Sequence, residues 1–336
     1  MNTPDSAPII ELIEAFRRSK TMFTALTLGI FDRLHDGPSG VAELAAAIRA
    51  DASGVERLLD GCAALGLLEK RDGRYANQPV AESYLWSGSP YTLSGYIEYS
   101  DRALYPMWGN LADAVKEGAP RWTQTFGWEG SIFDHFFHTP EARRSFLRGM
   151  HGFGMLSSPR VVEAFSLVRF RKLVDLGGGT GHLAIAACER HPDLEGVVFD
   201  LPAAAEMARE HAARSPACER LRVVEGDFFE DELPAADLYA VGRILHDWGE
   251  EKIGCLLRKV YGSLPAGGAL LVAEKLLHDD GVGPVPANMQ SLNMLVVTEG
   301  RERSLGDYAR LLRAAGFAEV EGQRTGAPLD AILALK

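Results

Sequence analysis

A chain of 336 residues is too long for one ordinary small core and implies two domains. With 46% hydrophobic and 24% charged residues it has the composition of a soluble globular protein. Its formal net charge of −11 argues against nucleic acid or an anionic membrane as partner, because both recruit clustered Lys and Arg.

The opening MNTPDSAPIIELIEAF has no basic stretch ahead of an apolar run, so no signal peptide is expected. No run of about 18 apolar residues occurs, so no membrane span is expected. From Ile9 to about Ala50 the pattern is helical, with Ile10, Ile13, Phe16 and then Phe23, Leu26, Ile30 near the helical period. VAELAAAIRA reads as a second helix and SGVERLLDGCAALG as a third, with Ser53 as N-cap and Gly66 near its end. LLEK and GRYAN then read as strands of a hairpin across Arg71, Asp72 and Gly73. Together these make a winged-helix pattern. Its candidate recognition helix carries Glu56, Arg57 and Asp60, which is no basic face, so DNA binding is not expected. The apolar first helix is better explained as a dimer contact.

Residues 91–168 read as mostly helical and rich in aromatics: Tyr96, Tyr99, Tyr105, Trp108, Trp122, Phe126, Trp128, Phe133, Phe136 and Phe137. Most are expected in the core, with a few roofing a pocket for a flat ligand. From Arg171 short apolar runs alternate with amphipathic helices: KLVDL, EGVVFD, RLRVVEG, ADLYAVG and GALLVAE. This rhythm predicts a doubly wound α/β domain with a mainly parallel sheet. FAEVEGQ and DAILALK are separated by too few residues for a crossover helix, so those two strands should be antiparallel.

KLVDLGGGTGHLAIAACE is a strand, a glycine loop and a helix starting near His182. Gly177, Gly179 and Gly181 allow left-handed backbone and close approach of a ligand. A nicotinamide fingerprint would need a small residue where His182 stands, so the GxGxG spacing suits S-adenosylmethionine better. Asp200 ends the next strand, where a carboxylate can hold both ribose hydroxyls. In GDFF, Gly226 to Phe229, Asp227 can accept from an adenine amino group while Phe228 stacks on the ring.

His246 lies just beyond the fourth strand, on the same edge as that loop. A phenol must lose its proton to become a good nucleophile, and an imidazole can take it. The sulfonium methyl of the cofactor is already activated, so no metal is required. Glu274 ends the fifth strand and Glu302 lies in TEGRERS; either can accept from the imidazole N–H, or be a surface charge. Asp247 either touches substrate or caps the next helix. His135 and His138 form HxxH, but no further ligands complete a metal site. Cys62, Cys188, Cys218 and Cys255 are far apart, reading as reduced thiols of a cytoplasmic protein.

VDLGGGTGH, VVFDLP, GDFF, RILHDW, LLVAEKLL, SLNML, TEGRERS and AAGF stand here in the order typical of the plant-type small-molecule O-methyltransferases. The chain resembles that family over nearly its whole length, most of all the acetylserotonin (hydroxyindole) branch and its bacterial secondary-metabolite relatives. The resemblance implies a homodimer, with a winged-helix dimerisation domain over 1–98 and a class I methyltransferase domain over 99–336. The latter would hold a seven-stranded Rossmann-like sheet with its last strand antiparallel, and 99–170 would be a helical linker and pocket roof. It would place S-adenosyl-L-methionine on Gly177, Gly179, Asp200, Leu201, Gly226, Asp227, Phe228 and Arg243. It matches His246 to the general base, Glu274 and Glu302 to the flanking carboxylates, and Asp247, Asn293, Met294 and Val297 to substrate contacts. Two positions depart from the acetylserotonin pattern: Val297 replaces a Gln, and Gly154 stands where an aromatic residue helps to line the cofactor site. A more apolar aromatic acceptor is therefore expected.

The leading expectation is methylation of a phenolic or hydroxyindole-type hydroxyl of a small aromatic molecule. One alternative keeps fold and cofactor but performs hydroxylation, decarboxylation or ring formation. Another is a non-enzymatic winged-helix regulator. An intact base with both glutamates favours methylation.

Overall fold

The structure is a computed structural model that describes residues 3–130, 137 and 139–336. The chain divides into two compact units, Met1–Arg102 and Ala103–Lys336.

In the first unit, helix α1 (Ala7–Thr27) stops before Gly29, which adopts φ 67°, and α2 (Ile30–His35) begins in a new direction. Ile30 therefore does not continue the first helix as its spacing with Phe23 and Leu26 predicts. Helices α3 (Val41–Ile48) and α4 (Ala52–Ala64) follow. The cap of α4 is Asp51, whose carboxylate accepts from Gly54 N–H at 2.8 Å; Ser53, the expected cap, lies inside the first turn. Either side chain can cap, and the extended backbone at Asp51 decides. Strands β1 (Ser39–Gly40), β2 (Leu68–Arg71) and β3 (Arg74–Asn77) form an antiparallel sheet in the order β1-β3-β2. Asp72 and Gly73 alone make the turn, both with positive φ. This is the expected helix–helix–wing arrangement around Phe31, Leu44, Leu59 and Tyr75. On α1, by contrast, Ile9, Ile10, Leu12, Ile13 and Phe16 are exposed.

The second unit is built on seven strands: β4 (Lys172–Leu176), β5 (Glu195–Asp200), β6 (Leu221–Glu225), β7 (Leu238–Gly242), β8 (Ala269–Glu274), β11 (Glu319–Gln323) and β12 (Asp330–Leu335). A separate ribbon pairs β9 (Leu276–Leu277) with β10 (Arg303–Ser304). The sheet order is β11-β12-β8-β7-β4-β5-β6, with β12 antiparallel to both neighbours and the pairs from β8 to β6 parallel. The Rossmann-like reading of the sequence holds, including the antiparallel last strand.

Alternating side chains feed two cores. Val174, Leu176, Tyr239, Val241, Leu270 and Val272 pack on one face with helices α8 (Glu250–Ser263) and α10 (Leu305–Ala315). Leu173, Val198, Leu238, Ala240 and Leu271 pack on the other with α5 (Pro140–Glu163), α6 (His182–Arg190) and α7 (Pro202–Arg214). Since β4 lies between β5 and β7, connections diverge at its carboxyl end and open a crevice, where such sheets bind ligands. Among the described residues no helix is long and apolar enough to cross a membrane.

Of the aromatic stretch, Trp122 is buried and donates its indole N–H to Val297 O at 2.8 Å. Phe126 and Trp128 stack at 4.6 Å, and Tyr105 is exposed. Phe133, Phe136, His135 and His138 lie outside the described residues.

Candidate active site

The glycine loop leaves β4 at the switch point. Gly177, Gly179 and Gly181 have φ of 65°, 58° and 81°, a left-handed backbone that side chains other than glycine's rarely adopt. A Cβ at Gly177 would meet Ile244 Cδ1 at 2.5 Å and the Phe228 ring at 3.2 Å, while Gly179 faces open space. Gly181 is the N-cap of α6, and of that helix's first amides Ala184 N–H already donates to the buried Asp175 Oδ2 at 3.3 Å.

Asp200, at the end of β5, accepts from Gly179 N–H at 2.6 Å and from Leu201 N–H at 2.7 Å. Burial raises its carboxyl to about 6, against the pull of those two amides. Gly226 has no room for a side chain, since the Phe199 ring fills the space. Asp227 accepts from Phe229 N–H at 2.8 Å, and Phe228 is buried beside Gly177. Arg243, just past β7, adopts φ 59°, and its guanidinium lies 5.3 Å over the Phe153 ring with a buried Nε that has no partner. A non-glycine residue in that conformation is strained and marks a candidate functional position.

His246 sits on a short 3₁₀ turn, Leu245–Asp247, after β7 and is 3% exposed. Its Nδ1 lies 2.7 Å from Glu302 Oε1 and 3.3 Å from Glu274 Oε2. Both glutamates are buried, so the surface-charge reading of them is wrong. The β9–β10 ribbon brings them together: Arg303 is in register with Leu276, setting Glu302 beside the residue that follows Glu274. Their tasks differ. Glu274 Oε1 accepts from the backbone N–H groups of Ile244, Leu245 and His246 at 3.0, 2.8 and 3.4 Å. It holds the turn, while Glu302 holds the ring.

Burial raises Glu274 to about 7, with the His246 charge opposing, and Glu302 to about 8, with Arg243, Lys275 and Arg303 opposing. Asp247 Oδ1 stands 3.7 Å from His246 Nε2, and burial lifts its carboxyl to about 6. It is not the cap of α8, whose N-cap is Gly249. His246, Glu274 and Glu302 each offer a ligand atom within 4.8 Å of the others, a donor set that a divalent cation accepts.

Asn293, Met294 and Val297 share the buried face of helix α9 (Val285–Val297). Trp108 donates its indole N–H to Asn293 Oδ1 at 2.9 Å. That fixes the amide orientation, because an indole N–H can only donate, and leaves Asn293 Nδ2 as a donor.

Several contributors carry no signal in the sequence. Arg303 is 2% exposed and donates to Leu245 O, Arg301 O and Trp248 O at 3.2, 3.0 and 3.2 Å, clamping the turn that carries His246. Trp108 acts on a partner 185 residues away. His182 fills the hollow over Gly154, where a Cβ would fall inside its ring. The spacing of residues along the chain records none of these contacts.

A family model for the O-methyltransferase domain matches residues 108–318, and one for the O-methyltransferase dimerisation domain matches residues 10–87. The chain is 39% identical over 333 residues to bovine acetylserotonin O-methyltransferase, covering 97% of this chain and 96% of that one. It is 42% identical over 336 residues to a human protein described as a probable bifunctional dTTP/UTP pyrophosphatase/methyltransferase; that match covers 99% of this chain but only 54% of the relative. The crystal structure of human N-acetylserotonin methyltransferase in complex with S-adenosylmethionine superposes with TM-score 0.94 at 39% identity, covering 100% of this chain and 99% of that one. The glycine loop, the Asp200 carboxylate bonded to it and the Phe228 ring beside Gly177 fit the same methyl donor. The chain belongs to the S-adenosylmethionine-dependent O-methyltransferase family.

Proposed function

We propose that the protein methylates a phenolic or hydroxyindole-type hydroxyl of a small aromatic molecule, with His246 as general base. One observation carries this: Glu302 occupies His246 Nδ1 at 2.7 Å, which leaves Nε2 as the ring nitrogen with a free lone pair. When bound, S-adenosylmethionine supplies an electrophilic methyl group on a sulfonium, and the protein's task is to present an oxygen nucleophile in line with it. His246 Nε2 takes the hydroxyl proton as transfer begins. Glu302 accepts Nδ1–H and stabilises the imidazolium that forms, while Glu274 keeps the turn from shifting as that charge appears.

Gly177, Gly179, Asp200, Leu201, Gly226, Asp227, Phe228 and Arg243 hold the methyl donor in this reading, and Asp247, Asn293, Met294 and Val297 line the acceptor. The Val297 side chain offers no hydrogen bond, which supports a more apolar acceptor than acetylserotonin, the substrate named for the bovine relative. In this reading the His246–Glu274–Glu302 cluster acts as an acid–base device, with Glu302 bonded to the ring and Glu274 Oε1 to the backbone amides of the turn. A homodimer assembled through the first unit, a place in secondary metabolism and a cytoplasmic location complete the proposal.

Incubating the enzyme with labelled methyl donor and a phenol and indole panel tests the reaction. A product heavier by one methyl, with S-adenosylhomocysteine released, is expected; an unmethylated but altered product would overturn it. His246→Gln should cut turnover about 10²-fold or more while leaving donor affinity nearly unchanged. Chelator treatment should leave turnover intact, and loss restored by a divalent cation would show the cluster to be a metal site.

A further inference from the structure

Three elements converge behind the glycine loop on groups that the methyl-transfer chemistry does not use. Thr180 is 1% exposed and carries the only polar side chain between Gly177 and Gly181. Its Oγ1 lies 2.8 Å from His151 Nδ1, on helix α5. The His151 ring stacks on His211 of helix α7, with centroids 3.9 Å apart and planes at 27°. The same helix α5 grips the far end of the loop: Ser158 Oγ lies 2.8 Å from His182 Nδ1, and the His182 ring rests over Gly154. A loop with three left-handed glycines has little stiffness of its own. Here it is fastened from outside by imidazoles.

We propose that His151 and His211, stacked as a neutral pair, position the cofactor loop through Thr180, and that protonating the pair frees the loop and weakens S-adenosylmethionine binding. This rests on the reading of residues 177–181 as the donor's cradle. The groups facing His151 are the imidazoles of His211 and His182. His211 is faced by Arg214 and Glu210 of its own helix, and His182 by Arg243 beyond β7 and by His211. A cation here has mostly other bases and cations around it. Burial pushes His151 down to about 3 and His182 to about 4, with those neighbours adding, so the closed loop keeps its imidazoles neutral.

In an opened loop the rings meet water, where an imidazole titrates near 6.5. The open form then binds more protons than the closed form as pH falls below that value. Acid favours opening, and donor affinity falls with it. His151 is a positioning residue in this scheme, acting through Thr180 and not on the reacting atoms.

Titration calorimetry with S-adenosylmethionine on the intact enzyme tests it. Wild-type Kd should rise about tenfold between pH 7.5 and 5.5, the size of one lost hydrogen bond. The near-isosteric Thr180→Val should raise Kd about tenfold at pH 7.5, and His151→Phe, which keeps a stacking ring, should do the same with kcat at saturating donor within about threefold of wild type. The double variant should lose no more than either alone, because both remove one contact. His151→Gln retains a hydrogen-bonding group that does not titrate; it should restore affinity at pH 7.5 and shrink the acid weakening to the share that His211 and His182 carry. Unchanged Kd in Thr180→Val, additive losses in the double variant, or an acid limb of wild-type size in His151→Gln would overturn the proposal. Asp200→Ala separates the two layers. If it weakens binding while the Thr180 and His151 variants do not, the cradle stands and the imidazole latch falls. If it binds as tightly as wild type, the cradle reading itself fails and takes the latch with it.

Discussion

At the scale of single residues, the proton between Glu302 and His246 decides whether the imidazole can work. With Glu302 ionised, Nδ1–H donates to Oε1 and Nε2 is free to accept. With a proton on Glu302, the contact reverses: the carboxyl donates to Nδ1, and the ring carries its own hydrogen on Nε2, where no substrate proton can go. Because burial raises Glu302 to about 8 and Glu274 to about 7, this switch falls in the neutral to mildly alkaline range. The enzyme should therefore gain kcat/KM as pH rises from about 6.5 to 8.5, the window in which those carboxyls lose their protons. Glu302→Gln removes that titration while keeping an acceptor for Nδ1–H; turnover should drop about 10- to 100-fold, and the alkaline rise should move to lower pH. A wild-type pH profile in that variant would show that another group sets the limb. The sequence named Glu274 and Glu302 as alternatives for one task. That Glu302 makes the shorter contact to the ring depends on the β9–β10 ribbon, a pairing too short to leave a pattern in the chain.

Elements explain why the site holds its shape. The turn carrying His246 is pinned by Glu274 from β8, clamped by Arg303 from β10, and backed by Gly300, where a Cβ would collide with the backbone of His246, Asp247 and Trp248. Backbone cannot step aside as a flexible side chain can. Gly300→Ala should therefore displace the turn, with turnover falling at least about tenfold; misplacing a catalytic group by an ångström costs that much or more. Normal turnover would show that the turn tolerates the shift. Strands were legible one by one, since β4 to β8 announce themselves as short apolar runs. The break between α1 and α2 was not, because the apolar spacing runs through Gly29 without interruption. The cap at Asp51 was missed for a similar reason: neighbouring Asp51 and Ser53 satisfy the same local rule.

For the molecule as a whole, the exposed stripe of Ile9, Ile10, Leu12, Ile13 and Phe16 is the feature a single chain leaves unexplained. Its apolar residues lie in a helix of the unit matched by the dimerisation family. Burying such a stripe in a second copy removes it from water, the dominant favourable term in association. Ile13→Glu should accordingly shift the protein from dimer to monomer in size-exclusion chromatography with light scattering; an unchanged mass would place the dimer contact elsewhere. By itself the sequence determined a winged-helix first part, a mainly parallel sheet with its last strand antiparallel, and the loops that follow the strands' carboxyl ends. Those features follow from local periodicity and from the few ways a right-handed βαβ chain can wind. Only the tertiary structure decided that Glu302 takes the ring and Glu274 the backbone, that Arg303 clamps the turn, and that His151 meets Thr180 of the glycine loop. Such contacts join residues far apart in the chain, and burial, which sets their protonation, belongs to no residue alone.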